Sequence, residues 1–331
     1  MAGQNRPILK EEQIKLPPLD PAIDLSIIIV SWNVVDLLRA CLTSIFTNGK
    51  GISLEVIVVD SASSDASVKM VKTEFPQVTL IARSDNVGFP KGNNIGLEAA
   101  RGRFIYLLNP DTIVVDSALQ TMLAYLDAHP QVGLVGSQLR FPDGEIQASR
   151  RRFPTLWTGI FESTWLQEVA PKRILAHYYM EDKKDDEICE ADWVMGASML
   201  LRREVAEACG GMDAAYFMYS EELDWCRRIR EAGWKIVYLP TAQIIHYQGK
   251  SSEQASTARH INFNRAKIRY FRKYHGPLAS GAIRSVLLLN YGWQIVLESV
   301  KGLTGHKRDL RKQRVSSYWQ VLKSGLPPAG Y

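Results

Sequence analysis

Three stretches of the 331-residue chain end in side chains that could do chemistry. Phe104 to Thr112 reads FIYLLNPDT, an apolar run that stops at Asn109, Pro110 and Asp111. A buried strand ending in a carboxylate sets a metal- or phosphate-handling group at the sheet edge where open α/β folds bind ligands. Leu54 to Asp60, LEVIVVD, repeats the pattern with a second carboxylate. Far downstream, Glu221, Glu222 and Asp224 open a segment in which the apolar Leu223, Cys226 and Ile229 recur at helical spacing. Glu221 and Glu222 then occupy a first helical turn, where the helix dipole favours negative charge and a side chain can point out from the end. Plainer readings compete. Asn-Pro-Asp is turn chemistry, the acids can cap the helix and pair at i, i+4, as Asp224 with Arg228, and His246, behind the apolar Ala242 to Ile245, reads as a structural histidine.

The elements that must position these groups alternate. Leu25 to Val30, LSIIIV, is β-branched without polar alternation, as in a parallel strand buried on both faces, and ends at Ser31, Trp32 and Asn33. Helical spacing follows over Asp36 to Phe46, then the strand to Asp60, a helix over Val68 to Glu74 behind the capping residues Ser61 to Asp65, a strand at Val78 to Ile81, a helix over Gly92 to Ala100, and the strand at Phe104 to Leu108. Such alternation within about 85 residues predicts crossovers and a parallel sheet. Ser31, Asp60, Asn86 and Asn109 to Asp111 all follow strand C-terminal ends, so they gather on one edge. Further on, the pattern predicts a helix over Ser117 to Ala128, strands at Val132 to Val135 and Lys235 to Leu239, and a helix over Ser220 to Ala232. Arg150, Arg151 and Arg152 read as a solvated basic surface rather than a diphosphate clamp, and the weakly patterned Thr155 to Glu190 as a mobile insertion or flap.

Composition narrows the classes. The chain is 46% hydrophobic and 23% charged, an ordinary globular balance. No GxGxxG follows the first strand and no GxxxxGK[ST] occurs, which counts against a dinucleotide-dependent dehydrogenase and a P-loop NTPase. Cys41, Cys189, Cys209 and Cys226 show no CxxC pairing and read as reduced thiols of a cytosolic protein. No basic-then-apolar leader is visible at the N-terminus, and residues 1–23 read as a loose lead-in. From Ser251 onward there are 14 Lys and Arg against three acids, a balance of +11, while the first 250 residues carry 26 basic against 32 acidic side chains. A mildly acidic body therefore carries a basic tail.

Seven motifs in order, SIIIVSWN, VVDSASSDAS, DNVGFPKGNNIGL, LLNPDT, DWVMGASMLLRR, YSEELDWCRRIREAGW and HYQGKSS, resemble the inverting family-2 glycosyltransferases, and within them the bacterial rhamnosyltransferase-like enzymes that extend lipid-linked glycans. The resemblance implies an α/β, Rossmann-like GT-A fold: a mostly parallel sheet with helices on both faces across residues 24–252, its nucleotide-binding half at 24–116 and its acceptor half at 117–252. It implies that Ser31, Trp32 and Asp60 hold the base, Asp60 accepting the N3 proton of uracil or thymine, with Asn86 and Asn93 bordering the nucleotide. Asn109 and Asp111 match the family's Asp-x-Asp metal motif, with Asn109 touching either metal or ribose; Asp111 and His246 would hold Mg²⁺ or Mn²⁺ against the diphosphate. The general base would be Glu222, with Asp224 as the alternative, and Trp193, Gly196 and Ala197 would form the acceptor and sugar wall. The implied donor is dTDP- or UDP-sugar, foremost dTDP-rhamnose, and the acceptor a lipid-linked saccharide. A UDP-hexose or UDP-N-acetylhexosamine transferase and a catalytically silent nucleotide-sugar-binding scaffold are the alternatives.

Residues 253–331 interleave aromatic and basic residues, as in RAKIRYFRKY from Arg265, and Ala282 to Val300 is apolar but interrupted by Arg284, Asn290, Gln294 and Glu298. Four polar residues argue against a spanning helix and for an amphipathic one lying on an anionic membrane surface. Helical packing or oligomerisation through these helices is the second reading, and no nucleic-acid motif accompanies them. The expected location is cytoplasmic, peripheral on the inner face of the plasma membrane.

Overall fold

The computed structural model describes residues 14–248, 256–303 and 307–330. The first part of the lead-in and the end of the HYQGKSS motif, from residue 249, lie outside the described residues. Four strands, β1 (Leu25–Ser31), β2 (Leu54–Asp60), β3 (Thr79–Ala82) and β4 (Phe104–Leu108), are joined through α1 (Val35–Asn48), α2 (Ser67–Glu74) and α3 (Phe89–Leu97). All of their pairings are parallel, β1 lying between β2 and β4 in registers that set Ser31 beside Asp60 and Leu25 beside Phe104. Strand alternation puts helices on both faces. Leu25, Ile27 and Ile29 share one core with residues of α1 and α2, whereas Ile28 and Val30 meet α3 on the opposite side. Contact there is close: a Cβ on Gly96 would lie 2.3 Å from Ile28 and one on Gly92 2.7 Å from Val30, so only glycine lets the helix backbone rest on the strand.

Beyond β4 the sheet becomes mixed. β5 (Thr112–Val114), α4 (Ala118–Ala128), β6 (Val132–Arg140), β7 (Ile146–Gln147), β8 (Arg150–Arg151), α5 (Leu156–Phe161), a 3-10 turn (Trp165–Val169), α6 (Lys172–Tyr178), β9 (Cys189–Glu190), β10 (Trp193–Val194), β11 (Ser198–Arg202), α7 (Arg203–Cys209), α8 (Glu221–Glu231) and β12 (Lys235–His246) follow in the chain. The sheet runs β3-β2-β1-β4-β11-β6-β12-β5, with β7 on β6 and β9 on β12, while β8 and β10 pair separately. β11 is antiparallel to both neighbours and β12 parallel to β6.

β12 corrects the expectation of a strand that ends at Leu239. A register shift between Leu239 and Gln243 absorbs Pro240, which cannot donate to a ladder and is tolerated at a bulge, and the strand runs on to His246. That extension sets His246 beside Thr112 of β5.

The chain forms two compact units. One comprises residues 1–153, 179–214 and 221–251; the other comprises 154–178, 215–220 and 252–331. The second unit thus takes more than the C-terminal segment expected from composition. Where an unpatterned insertion was expected, α5, the 3-10 turn and α6 form, fixed by caps and packing rather than by periodicity. Thr155 caps α5, Thr164 caps the 3-10 turn, the Lys267 ammonium donates to the Glu162 carboxylate at 2.6 Å, and a Cβ on Gly159 would lie 2.4 Å from Ile283. α9 (Ser256–Leu303) breaks at Gly276, whose φ of 87° is followed by Pro277, and α10 (Arg308–Ser324) packs along it.

Candidate active site

At the ends of β1 and β2, two loops are laced together. The Asn33 carboxamide oxygen accepts the Ser64 N–H at 2.7 Å, and the Asn33 N–H donates to Ser63 Oγ at 2.9 Å. Asp60, buried at 2% exposure, accepts the Ser63 N–H at 2.9 Å. Beside it the hydroxyls of Ser31 and Ser61 are buried and have no hydrogen-bond partner among the described residues. Buried hydroxyls are normally satisfied, so this edge is short of a polar partner. Trp32 is half-buried next to them, while Asn86 is exposed and caps its own loop by accepting the Gly88 N–H at 3.0 Å. Asn93 is buried and donates to Phe89 O at 3.0 Å, which makes it a support of α3. Asn94, which the sequence did not single out, reaches Met212 with both ends of its amide, at 2.8 and 2.9 Å.

At the end of β4 the Asn109 N–H donates to Ala197 O at 3.0 Å, and Asn109 Oδ1 is buried without a partner among the described residues. Asp111 lies 3.4 Å from His246 Nε2, both side chains nearly inaccessible. The Tyr247 N–H also donates to Asp111 O at 2.9 Å, tying the two strand ends. Gln147 determines the histidine tautomer. Its Nε2 donates to His246 O at 2.6 Å, which turns its Oε1 toward His246 Nδ1 at 2.9 Å. An amide oxygen only accepts, so Nδ1 carries a proton, and in the neutral ring Nε2 presents its lone pair to the Asp111 carboxylate. Two lone-pair donors face each other, an arrangement that calls for a cation or a proton between them. Among the described residues, no group of three or more His, Cys, Asp or Glu converges on a metal position. A metal ion held here would take one carboxylate oxygen and one imidazole nitrogen from the protein and the rest of its ligands from elsewhere. Gln147 escaped the sequence reading because β7 is two residues long; the Asp143-Gly144 turn, which folds β7 back on β6, was its one signal.

Across the same edge, Met195 to Ala197 links the end of β4 to the start of α8. A Cβ on Gly196 would sit at ordinary contact distance, 3.6 Å from Glu222 Cβ and 3.4 Å from the Phe89 ring, which places this glycine directly beside Glu222. Burial pushes the Glu222 carboxyl above its ordinary range, opposed by its own N–H, by the Arg151 guanidinium and by the Gly196 amide. Burial and the adjacent Glu222 push Glu221 well above that range. One carboxylate oxygen of each is buried and unpartnered among the described residues. Immediately before the helix, Tyr219 and Ser220 both hold positive φ, 75° and 63°. Such strain in consecutive non-glycine residues is uncommon and clusters at functional sites.

Asp224 is fully buried and accepts from Arg228 Nε at 3.1 Å, while the same guanidinium donates to Cys209 O and Gly211 O at 2.6 Å. It fixes the loop that precedes α8. Trp193 differs from the sugar-stacking face expected of it. It is 8% exposed, its indole N–H donates to Arg152 O at 3.0 Å, and the Arg151 guanidinium lies 5.3 Å over its ring. The arginine triplet is likewise no solvated surface. Arg150 is buried over the Tyr238 ring and paired with Asp185, and Arg152 holds Asp182 through two bonds of 2.7 Å, lowering that carboxyl to about 2. These pairs fix the acidic run that composition marked as loose.

The sequence profile described as Glycosyltransferase like family 2 matches residues 21–265. N-acetylglucosaminyl-diphospho-decaprenol L-rhamnosyltransferase of Mycobacterium tuberculosis is 26% identical over 210 residues, covering 60% of this chain and 68% of its own length. Rhamnosyltransferase WbbL of Escherichia coli K12 is 26% identical over 229 residues, covering 67% of this chain and 82% of its own. Among solved structures, mannosyltransferase PcManGT from Pyrobaculum calidifontis, in complex with GDP-Man and Mn²⁺, superposes with a TM-score of 0.54 at 16% identity, covering 95% of this chain and 89% of that one. GalNAc-T7 with UDP, GalNAc and Mn²⁺ gives a TM-score of 0.54 at 15% identity, and this chain spans 44% of its length. The fold is that of the GT-A glycosyltransferases, and the profile, running from the β1 edge to the start of α9, shows that the chain belongs to glycosyltransferase family 2.

Proposed function

We propose that the protein is an inverting, metal-dependent glycosyltransferase that moves rhamnose from dTDP-rhamnose onto a lipid-linked saccharide in bacterial cell-surface glycan synthesis. The observation that carries this reading is the bridge from Asn109 through Ala197 and Gly196 to Glu222, which joins the Asp111–His246 pair and a buried carboxylate on one sheet edge. The rhamnosyltransferase relatives support the donor and the lipid-linked acceptor. The Mn²⁺ in two fold neighbours supports a divalent ion.

Asp111 and His246 would hold that ion, Gln147 keeping the Nε2 lone pair directed at it. A mixed oxygen and imidazole set accepts Mn²⁺ as well as Mg²⁺, and the ion, when bound, neutralises charge developing on the departing diphosphate. The chain's own groups do the rest. Asp60 accepts the N3 proton of the pyrimidine, and the unpartnered hydroxyls of Ser31 and Ser61 offer bonds to the nucleoside. Asn109 Oδ1, free of protein partners among the described residues, accepts a ribose hydroxyl. Glu222 takes the proton of the acceptor hydroxyl as that oxygen attacks the anomeric carbon from the face opposite the diphosphate, which inverts the centre. Its raised pKa makes it a stronger base once deprotonated, and the Arg151 guanidinium supports the ionised form.

A donor screen by nucleoside-diphosphate release, with and without EDTA and a lipid-diphosphate saccharide acceptor, tests this. The expected result is EDTA-sensitive, acceptor-stimulated release from dTDP-rhamnose. Release from a UDP-sugar alone would change the donor, and release from none would leave a silent nucleotide-sugar-binding scaffold.

A further inference from the structure

The second half of α9 carries an apolar stripe on its exposed side. Its buried side combines Ile283, Leu287 and Tyr291 with Asn290 and Glu298, the last 4% exposed and bonded to Arg311 at 2.6 Å. Its exposed side carries Leu278, Leu289, Trp293, Val296, Val300 and Leu303, from 48% exposure at Trp293 to 90% at Leu278. At 3.6 residues per turn these six fall within an arc of about 80°. Trp165 of the 3-10 turn lies 6.5 Å from Trp293 by ring centroids and widens the stripe, and Val169 of the same turn is exposed. Trp157 and Trp319 of the same unit are also more than half exposed. A water-facing helix carries polar residues on its exposed side, and contiguous apolar patches of this kind mark interaction surfaces.

We infer that this face is a docking surface for an anionic lipid bilayer, with the stripe seated among the acyl chains and the adjacent cations on headgroups. Two observations select a membrane over a second copy of the chain. Exposed Lys307, Arg308 and Lys312 follow the end of the stripe, and anionic headgroups answer them, whereas a second copy brings more cations. The half-exposed indoles suit the interfacial zone, which holds an apolar ring and a polar N–H together. No helix among the described residues is long and apolar enough to cross a membrane, so a bilayer contact made by α9 would run along the surface. This deepens the proposed function, because a lipid-linked acceptor lies at a bilayer, but it is tested without donor or acceptor, so its failure leaves the transferase reading standing.

The test is flotation of the full-length protein with vesicles of phosphatidylglycerol and phosphatidylcholine, and with phosphatidylcholine alone. Wild type floats with the anionic vesicles and binds them at least tenfold better than neutral ones. Trp293→Glu with Val300→Glu abolishes flotation, and Lys307→Gln with Arg308→Gln weakens it about thirtyfold, with circular dichroism and nucleotide affinity unchanged in both. Wild type remaining with the unbound protein would overturn the inference, as would a stripe variant that floats normally. So would a wild-type dimer, seen by sedimentation, that the stripe variant converts to monomer.

Discussion

Replacing Gln147 by leucine keeps the side chain's bulk and removes both of its hydrogen bonds, leaving His246 O and the His246 Nδ1–H without their partner in a buried site. Each unmet buried group costs about 1–3 kcal/mol, so the unfolding free energy should fall by roughly 2–6 kcal/mol. The imidazole also loses the contact that sets its tautomer. Partners of metal-ligating histidines are worth about 10–100-fold in metal affinity, or roughly 1.4–2.7 kcal/mol. Mn²⁺ titration followed by electron paramagnetic resonance, with dTDP present, reads the second effect, and urea unfolding reads the first. Gln147→Glu keeps an acceptor for Nδ1–H and should bind Mn²⁺ more nearly like wild type. A folded leucine variant that is less stable yet binds Mn²⁺ as tightly as wild type would refute the tautomer argument, because Gln147 would then be packing alone.

Asp224→Ala strands the buried Arg228 guanidinium and should cost about 3–5 kcal/mol in urea unfolding; Asp224→Asn, which keeps an acceptor for Arg228, should retain transfer, and a folded but inactive Asn variant would give the base role to Asp224. Glu221 titrates above its unfolded value, so it is protonated in both states below about pH 4.3, and as pH rises toward the folded value the unfolded state binds fewer protons and stability falls. Glu221→Gln should therefore match wild type in acid and gain on it toward neutral pH, and equal melting temperatures throughout would contradict the raised pKa. Because burial also raises Glu222, the acid limb of the wild-type transfer rate should sit above the ordinary glutamate range, and a limb within that range would contradict the raised pKa.

What was legible in the chain follows from how local each signal is. β1, β2 and β4 are visible because β-branched and apolar runs buried on both faces need no partner to be recognised. α8 is visible from Leu223, Cys226 and Ile229, and its Asp224–Arg228 pair from i, i+4 spacing. The carboxylates at strand ends could be placed on one edge because parallel strands share a direction. The mixed half was hidden for the converse reason: β7 to β10 are two residues each, below any periodicity. Pro240 looked like a stop because a bulge that absorbs a proline depends on β6, far away in sequence. Gln147 and Arg151 gain meaning only when β7 and β8 bring them to His246 and Glu222. Arg150 looked solvated because its partners, Tyr238 and Asp185, are distant in the chain.

The central claim is that Glu222 deprotonates the acceptor at an edge whose other side holds the donor diphosphate. Transfer to a lipid-diphosphate saccharide and dTDP binding, measured on the same preparations of wild type and Glu222→Gln, test it most directly. The account predicts that the variant binds dTDP like wild type and transfers nothing. Transfer at the wild-type rate would contradict it.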